Sequence, residues 1–179
     1  MTRSPLPQHD GELKVAGLQD TVEILRDEWG VPHIYAKNMH DLFFAQGYTQ
    51  AQDRWWQMEF WRHVGSGRIE ELVGKKDTLL GTDIFIRTLG WRRVAENEVK
   101  VCDDESLSRL QAFADGVNAY IMKRDPSKLA LEYNILGLTG IDIKLVRSWP
   151  TLSTCQWGAS FGCSWLCLCS IARSHNRPQ

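Results

Sequence analysis

Gly158-Ala159-Ser160-Phe161-Gly162 spells G-x-S-x-G, the spacing that lifts a serine hydroxyl on a sharp turn between a strand and a helix. Acyl transfer there needs a carboxylate and then a histidine downstream. His175 follows, but no Asp or Glu does, and no parallel-sheet pattern precedes the motif. The match is read as accidental. Cys155, Cys163, Cys167, Cys169 and His175 offer soft metal ligands. They contain no C-x-x-C pair, which structural zinc sites usually show, so an oxidation-prone, unstructured cluster is expected instead. Cys102 stands alone upstream, and five cysteines so placed do not make a disulfide framework.

The charged and aromatic side chains before residue 70 are weighed the same way. His33 sits beside Pro32 and is expected to be a hydrogen-bonded structural histidine. His40 and His63 flank a helical stretch, as a capping neighbour and a cation in its last turn. Asp53-Arg54 could do acid–base work, but no second convergent group accompanies it, so a buried structural network is expected. Glu59 lies three residues from Arg62 and four from His63, which allows a local pair. Trp55, Trp56 and Trp61 could stack on a ligand. Core, or a seam to a partner, is the more common use of such a cluster, and the seam is favoured. No catalytic, cofactor-binding or metal-ligating residue is assigned.

These residues need elements to position them. From Asp41 to His63, Phe44, Tyr48, Ala51, Trp55 and Met58 recur at steps of four and three, without proline, which predicts one long helix. Asn38 or Asp41 can serve its start, and Gly65 and Gly67 its end. Before it, TVEILR (Thr21 to Arg26) and VPHIYA (Val31 to Ala36) read as a β-hairpin around Asp27–Gly30, with Gly30 at positive φ. After it, Arg68–Val73 is a short helix closed by Gly74, and KKDTLLG is a polar connection. Thr82-Asp83 opens a helix through Val101, with Gly90 its weak point. Cys102–Ser106 is an acidic start to a helix carrying Leu107, Leu110, Ala114, Val117 and Ile121, stopped by Asp125-Pro126.

The chain has 179 residues, 43% hydrophobic and 24% charged, which fits one soluble globular domain. A net charge of −1 gives no bulk attraction to nucleic acid or anionic membrane, so neither is expected as a partner. The first residues have no apolar core of signal-peptide length, and no segment approaches a membrane span. A cytoplasmic location is expected of the chain as given, unless an export signal lay upstream.

Residues 1–20, with two prolines and two glycines, read as an extended arm. After about Ile143 the composition changes. Asp142 is the last acidic residue, and Ser, Cys, Trp and Arg dominate from there to Gln179. That points to a tail foreign to the domain, such as a frameshifted or mis-spliced end. A genuine small basic tail is the other reading.

VEILRDEWGVPHIYA, then DLFFAQGYTQAQDRWWQMEFWR, then GRIEELVG closely resembles the front of the penicillin acylase family. The carrying positions are Gly30, Val31, Pro32, His33 and Ile34; then Ala51, Gln52, Asp53, Arg54, Gln57, Met58 and Glu59; then Gly67, Arg68, Glu71 and Gly74. FADGVNAYI (Phe113 to Ile121) and Leu136-Gly137 are also similar. Several blocks in one order make the likeness specific over roughly residues 21–150. The expected division is an arm at 1–20, an α-subunit fragment at 21–150 and a divergent tail at 151–179.

The resemblance implies an α+β fragment, a hairpin followed by helices, from the αββα fold of N-terminal-nucleophile hydrolases. Such enzymes are precursors that cut themselves into an α- and a β-subunit. The serine freed at the front of the β-subunit attacks, with its own α-amine as base, because an α-amine titrates near neutrality. Backbone amides and an asparagine hold the oxyanion. The bond cut is a side-chain amide, in penicillins or acylated homoserine lactones. The family's α-subunit supplies a Met and a Phe to the acyl pocket and a Glu to a calcium site, all downstream of the W-x-P segment that Trp149-Pro150 resembles. None of these is carried over, so no cofactor is expected in this chain. A family-type β-subunit is the expected partner, without which the chain would be inactive. A non-catalytic helical interaction module is the alternative.

Overall fold

The computed structural model describes residues 10–124 and 129–132. The G-x-S-x-G motif, Cys155 to Cys169, His175, Trp149-Pro150, Leu136-Gly137 and the whole tail lie outside the described residues, as does the start of the arm.

The hairpin forms where alternation placed it. Strand β1 (Glu23–Arg26) pairs antiparallel with β2 (Pro32–Tyr35), Ile24 opposite Ile34 and Leu25 opposite His33. Gly30 takes φ 76°, which lets the turn close cheaply. Ile24, Arg26, Pro32 and Ile34 face inward, while Leu25 and Tyr35 are exposed.

Helix α1 runs Met39–Ser66 and is longer than its periodicity predicts. Asn38 caps it by accepting from the Asp41 amide. Gly67 closes it in the left-handed conformation, its amide donating to Val64 and that of Arg68 to His63. The helix is not continuous. Arg54 has φ −137° and ψ 28°, a break that the absence of proline gave no reason to expect.

Four helices follow among the described residues: α2 (Glu70–Val73), α3 (Asp77–Leu89), α4 (Trp91–Val101) and α5 (Asp104–Ile121). Two corrections arise. KKDTLLG is not a connection after Lys76, because α3 starts at Asp77 and carries Gly81 in its interior. Nor does one helix span Asp83 to Val101. Gly90 takes φ 74° and separates α3 from α4. The acidic start of α5 is as expected, with Asp103 accepting from the Ser106 amide.

The core sits between α1 and α5. Ala51, Trp55 and Met58 meet Val117, Tyr120 and Ile121, with Leu129 and Ala130 beside them. Trp55 is 2% exposed and Trp56 packs partly buried against this cluster, so both belong to the core and not to the favoured seam. The two backbones come close where both helices lack side chains. A Cβ on Gly47 would lie 2.1 Å from the Phe113 carbonyl oxygen, and one on Gly116 would lie 1.9 Å from that of Phe44.

Candidate functional site

The family-like blocks are where chemistry would be sought, and most of their charged side chains are committed to another protein group. Arg26 reaches from β1 to α1 and donates twice to Asp53, at 2.8 and 2.9 Å, in a forked ion pair. It also donates to the Gly30 carbonyl at 2.9 Å and to Gln52 at 3.3 Å. Asp53 therefore pairs with Arg26 and not with its neighbour Arg54, which donates to Gln57 at 3.4 Å. A buried network was expected at Asp53-Arg54; both residues are exposed, and the partner of Asp53 is a strand away.

Glu59 is 2% exposed and accepts from Arg62 at 2.8 and 2.5 Å. The His63 ring donates from Nδ1 to the Glu59 main-chain carbonyl at 2.9 Å. Burial pushes His63 below its usual range, against the pull of the Glu59 carboxylate. Burial thus disfavours the cation that its place in the last turn suggested. Arg68 forks onto Glu71 at 2.8 and 2.5 Å. His33 is half-exposed and donates from Nε2 to Asp27 at 3.3 Å. His40 donates to Asp41 at 3.0 Å, the neighbour of a cap as expected.

Two carboxylates read only as helix starts turn out to be buried and to hold other segments. Asp41 is fully buried and accepts the amides of Gln19 and Asp20, which ties the arm to the start of α1. Asp83 was read as a helix start. It lies inside α3, 4% exposed, and accepts the amides of Ile69 and Glu70 at 3.0 and 3.2 Å. It thus caps α2 from outside, while Arg87 donates to the Gly67 carbonyl at 2.7 Å.

A cleft of about 1370 Å³ lies between the arm and α1, with Leu18, Phe44, Tyr48, Gln52 and Lys123 in its lining. Its buried hydroxyl, on Thr49, donates to Ala45 in its own helix. No nucleophile there faces a base among the described residues. Among the described residues no three His, Cys, Asp or Glu side chains converge to hold a metal ion. No described helix is long and apolar enough to cross a membrane.

What the surface does offer is apolar. On the hairpin, Leu25, Val31 and Tyr35 are half-exposed and Trp29 is 82% exposed. On α3 and α4, Ile84, Phe85, Leu89, Trp91 and Val94 are exposed as well. Large exposed apolar side chains gathered on one element in this way suit contact with another surface. Among the described residues the exposed tryptophans are thus Trp29 and Trp91, not the trio on α1.

The ion pair that clips hairpin to helix supports a quantitative expectation. Arg26 and Asp53 side chains are 13% and 23% exposed. A double-mutant cycle with Arg26→Gln and Asp53→Asn, read by urea unfolding, is expected to give a coupling of about 1–2 kcal/mol. A value near zero would make the pair an incidental surface contact.

The penicillin amidase family model matches residues 21–165. Penicillin acylase 2 proenzyme of Pseudomonas sp. (strain SE83) is 36% identical over 135 residues, which cover 75% of this chain and 17% of that protein. Penicillin G acylase of Escherichia coli is 37% identical over 121 residues, covering 66% and 14%. An acyl-homoserine lactone acylase of Pseudomonas aeruginosa is 31% identical, covering 90% and 21%. The chain therefore spans about a fifth or less of the curated relatives it matches. A solved chain of thermostable penicillin G acylase from Alcaligenes faecalis superposes with a TM-score of 0.61 at 25% identity, over 85% of this chain and 80% of that one.

Proposed function

Because this chain belongs to the penicillin amidase family, we propose that it forms the hairpin-and-helix portion of a hydrolase that cuts carbon–nitrogen bonds in linear amides. The substrate class is a penicillin or an acyl-homoserine lactone, each carrying an acyl group in amide linkage. The observation that carries this reading is the family match over residues 21–165, joined to a fold shared with a penicillin G acylase chain of similar length.

In this reading the chain supplies shape and not the nucleophile. Its family-like residues serve as turn, cap, clip and core. The reactive serine and the oxyanion donors come from a complementary polypeptide. That serine's α-amine takes the hydroxyl proton as the amide carbonyl is attacked, and the oxyanion donors hold the charge that develops. The exposed apolar faces of the hairpin and of α3–α4 are where the complementary polypeptide docks.

The purified chain is expected to give no turnover of a chromogenic phenylacetyl amide. It is expected to bind a dye that reports exposed apolar surface and to self-associate. Turnover from the pure chain, surviving removal of contaminants, would overturn the division of labour. Monodisperse behaviour without dye binding would remove the docking faces.

A further inference from the structure

We infer that the Arg26 guanidinium holds α1 broken at Arg54, so that the hairpin sets the direction of the second half of the helix and of the α2–α3 corner built on its end. The hinge rests on geometry within this chain. Its use, to let the two docking faces feel each other, rests on the reading of this chain as one portion of a larger hydrolase.

The usual causes of a helix break are missing at this one. Sharp kinks arise at proline, at glycine or serine pairs, at a π-bulge, or where a side chain intrudes on the ladder. From Tyr48 to Val64 the helix has no proline, glycine or serine, and none of these residues is π-helical. Thr49 returns its hydroxyl to the Ala45 and Gln46 carbonyls, which bends a helix there, more than a turn before the break. Arg54 itself reaches Gln57 at 3.4 Å, within its own helix. Intrusion from another element is the cause that remains, and Arg26 is the side chain that arrives there.

Arg26 grips both sides of the joint. On the hairpin it donates to the Gly30 carbonyl at 2.9 Å, in a turn that Asp27 stiffens by accepting the Trp29 and Val31 amides. On α1 it donates to both Asp53 carboxylate oxygens and to the Gln52 side chain. Consecutive side chains on a regular helix stand about 100° apart and do not face each other. One planar guanidinium that bonds both therefore draws them out of regular winding. The next residue is Arg54, at φ −137° and ψ 28°. Beyond the break, the end of α1 is fastened to α3. Arg87 donates to the Gly67 carbonyl at 2.7 Å, and Asp83 accepts the Ile69 and Glu70 amides. A change of bend is thus passed from the hairpin, where Trp29 is exposed, to α3, where Ile84 and Phe85 are exposed.

Arg26→Gln alters no residue of α1, so it leaves the helix propensity of α1 untouched. Asp53→Asn removes the charge from the other end of the grip. The chain and both variants are compared by NMR, with the Val117 and Tyr120 resonances reporting an intact α1–α5 core. In each variant the Arg54 Cα shift is expected to move into the helical range. Amide exchange from Trp55 to Gln57, whose ladder bonds span Arg54, is expected to slow about tenfold as those bonds form. The Ile69 and Glu70 amide resonances are expected to move as well. Arg54→Ala favours helix locally but leaves the grip in place, so it is expected to stay broken. An Arg54 shift unmoved by Arg26→Gln and Asp53→Asn would mean that the packing of Trp55 and Met58 on α5 sets the bend, and the proposal falls. It falls equally if Arg54→Ala alone straightens the helix, or if Arg54 turns helical while Ile69 and Glu70 stay still. None of these outcomes involves a second polypeptide, so a failed hinge leaves the proposed function standing, and a failed docking experiment leaves the hinge standing.

Discussion

Gly116→Ala is expected to destabilise the chain by about 3 kcal/mol or more, at the upper end of what overpacking a core costs. The added methyl would stand 1.9 Å from the Phe44 carbonyl oxygen, 2.8 Å from its carbon and 3.0 Å from the Tyr48 amide. All three are backbone atoms of α1, which no side-chain rotation can move. Helices α1 and α5 would have to draw apart by more than about 1 Å, and close-packed interiors do not absorb that. The separation would loosen the contacts of Trp55, Val117 and Tyr120 as well. Gly47→Ala meets the Phe113 carbonyl at 2.1 Å and should behave alike.

The sign of the effect is what makes this decisive. In a helix interior, Gly→Ala by itself is favourable by about 1 kcal/mol. Gly81, inside α3, has nothing within 4 Å of an added Cβ. Gly81→Ala should therefore stabilise by about 0.5–1 kcal/mol, provided chemical unfolding is followed under the same conditions. Opposite signs at Gly116 and Gly81 would establish the tight crossing. A stabilising Gly116→Ala would show that α5 does not pack on α1 at this distance.

Local pattern made some elements legible and distance hid others. The hairpin, the bulk of α1 and α5 follow from periodicity and caps, which are properties of neighbouring residues. The break at Arg54 had no such mark. It falls beside Asp53, whose partner Arg26 is 27 residues away, and no local rule pairs the two. The start of α3 was missed because Lys75-Lys76-Asp77 is polar and Gly81 looked like a terminator. Asp83 was visible as a capping residue, but the helix it caps precedes it in the chain. The crossing of α1 and α5 did leave a trace. Gly47 and Ala51, and likewise Ala112 and Gly116, are small residues four apart on one helix face. The spacing became informative only once the two helices were known to face each other. The aromatic trio misled for a related reason: clustering of tryptophans does not say which surface covers them, and Trp55 and Trp56 are covered by α5 within the chain.

Asp41→Ala is expected to be the most damaging loss of a charge, by about 3–4 kcal/mol. Its carboxylate is fully buried and accepts from four donors: the Gln19 amide at 2.9 Å, the Asp20 amide at 2.8 Å, Asn38 at 2.8 Å and His40 at 3.0 Å. Burial works against its charge, but the Gln19 amide, His40, Asn38 and the Asp20 amide together outweigh that and hold the carboxyl down at about 2. A folded value below the unfolded one, roughly 3.9, means that the group stabilises fully above the unfolded value. The contribution shrinks as pH falls from about 4 and is gone below about 2, a total of about 2 kcal/mol from ionisation alone. Other carboxylates titrate in the same window, so the comparison must be with Asp41→Asn. The unsubstituted chain should lose its advantage over that variant between pH 4 and 2, and the two urea midpoints should converge at the acid end. Parallel pH profiles would show that the carboxylate is not ionised in the folded chain. The loss is also local. Asp41 fastens the segment that feeds β1, so Asp41→Ala should expose residues 10–20 to limited proteolysis before the α1–α5 core opens. Cleavage that begins in the core, with the arm protected, would show that the arm is held by something other than this carboxylate.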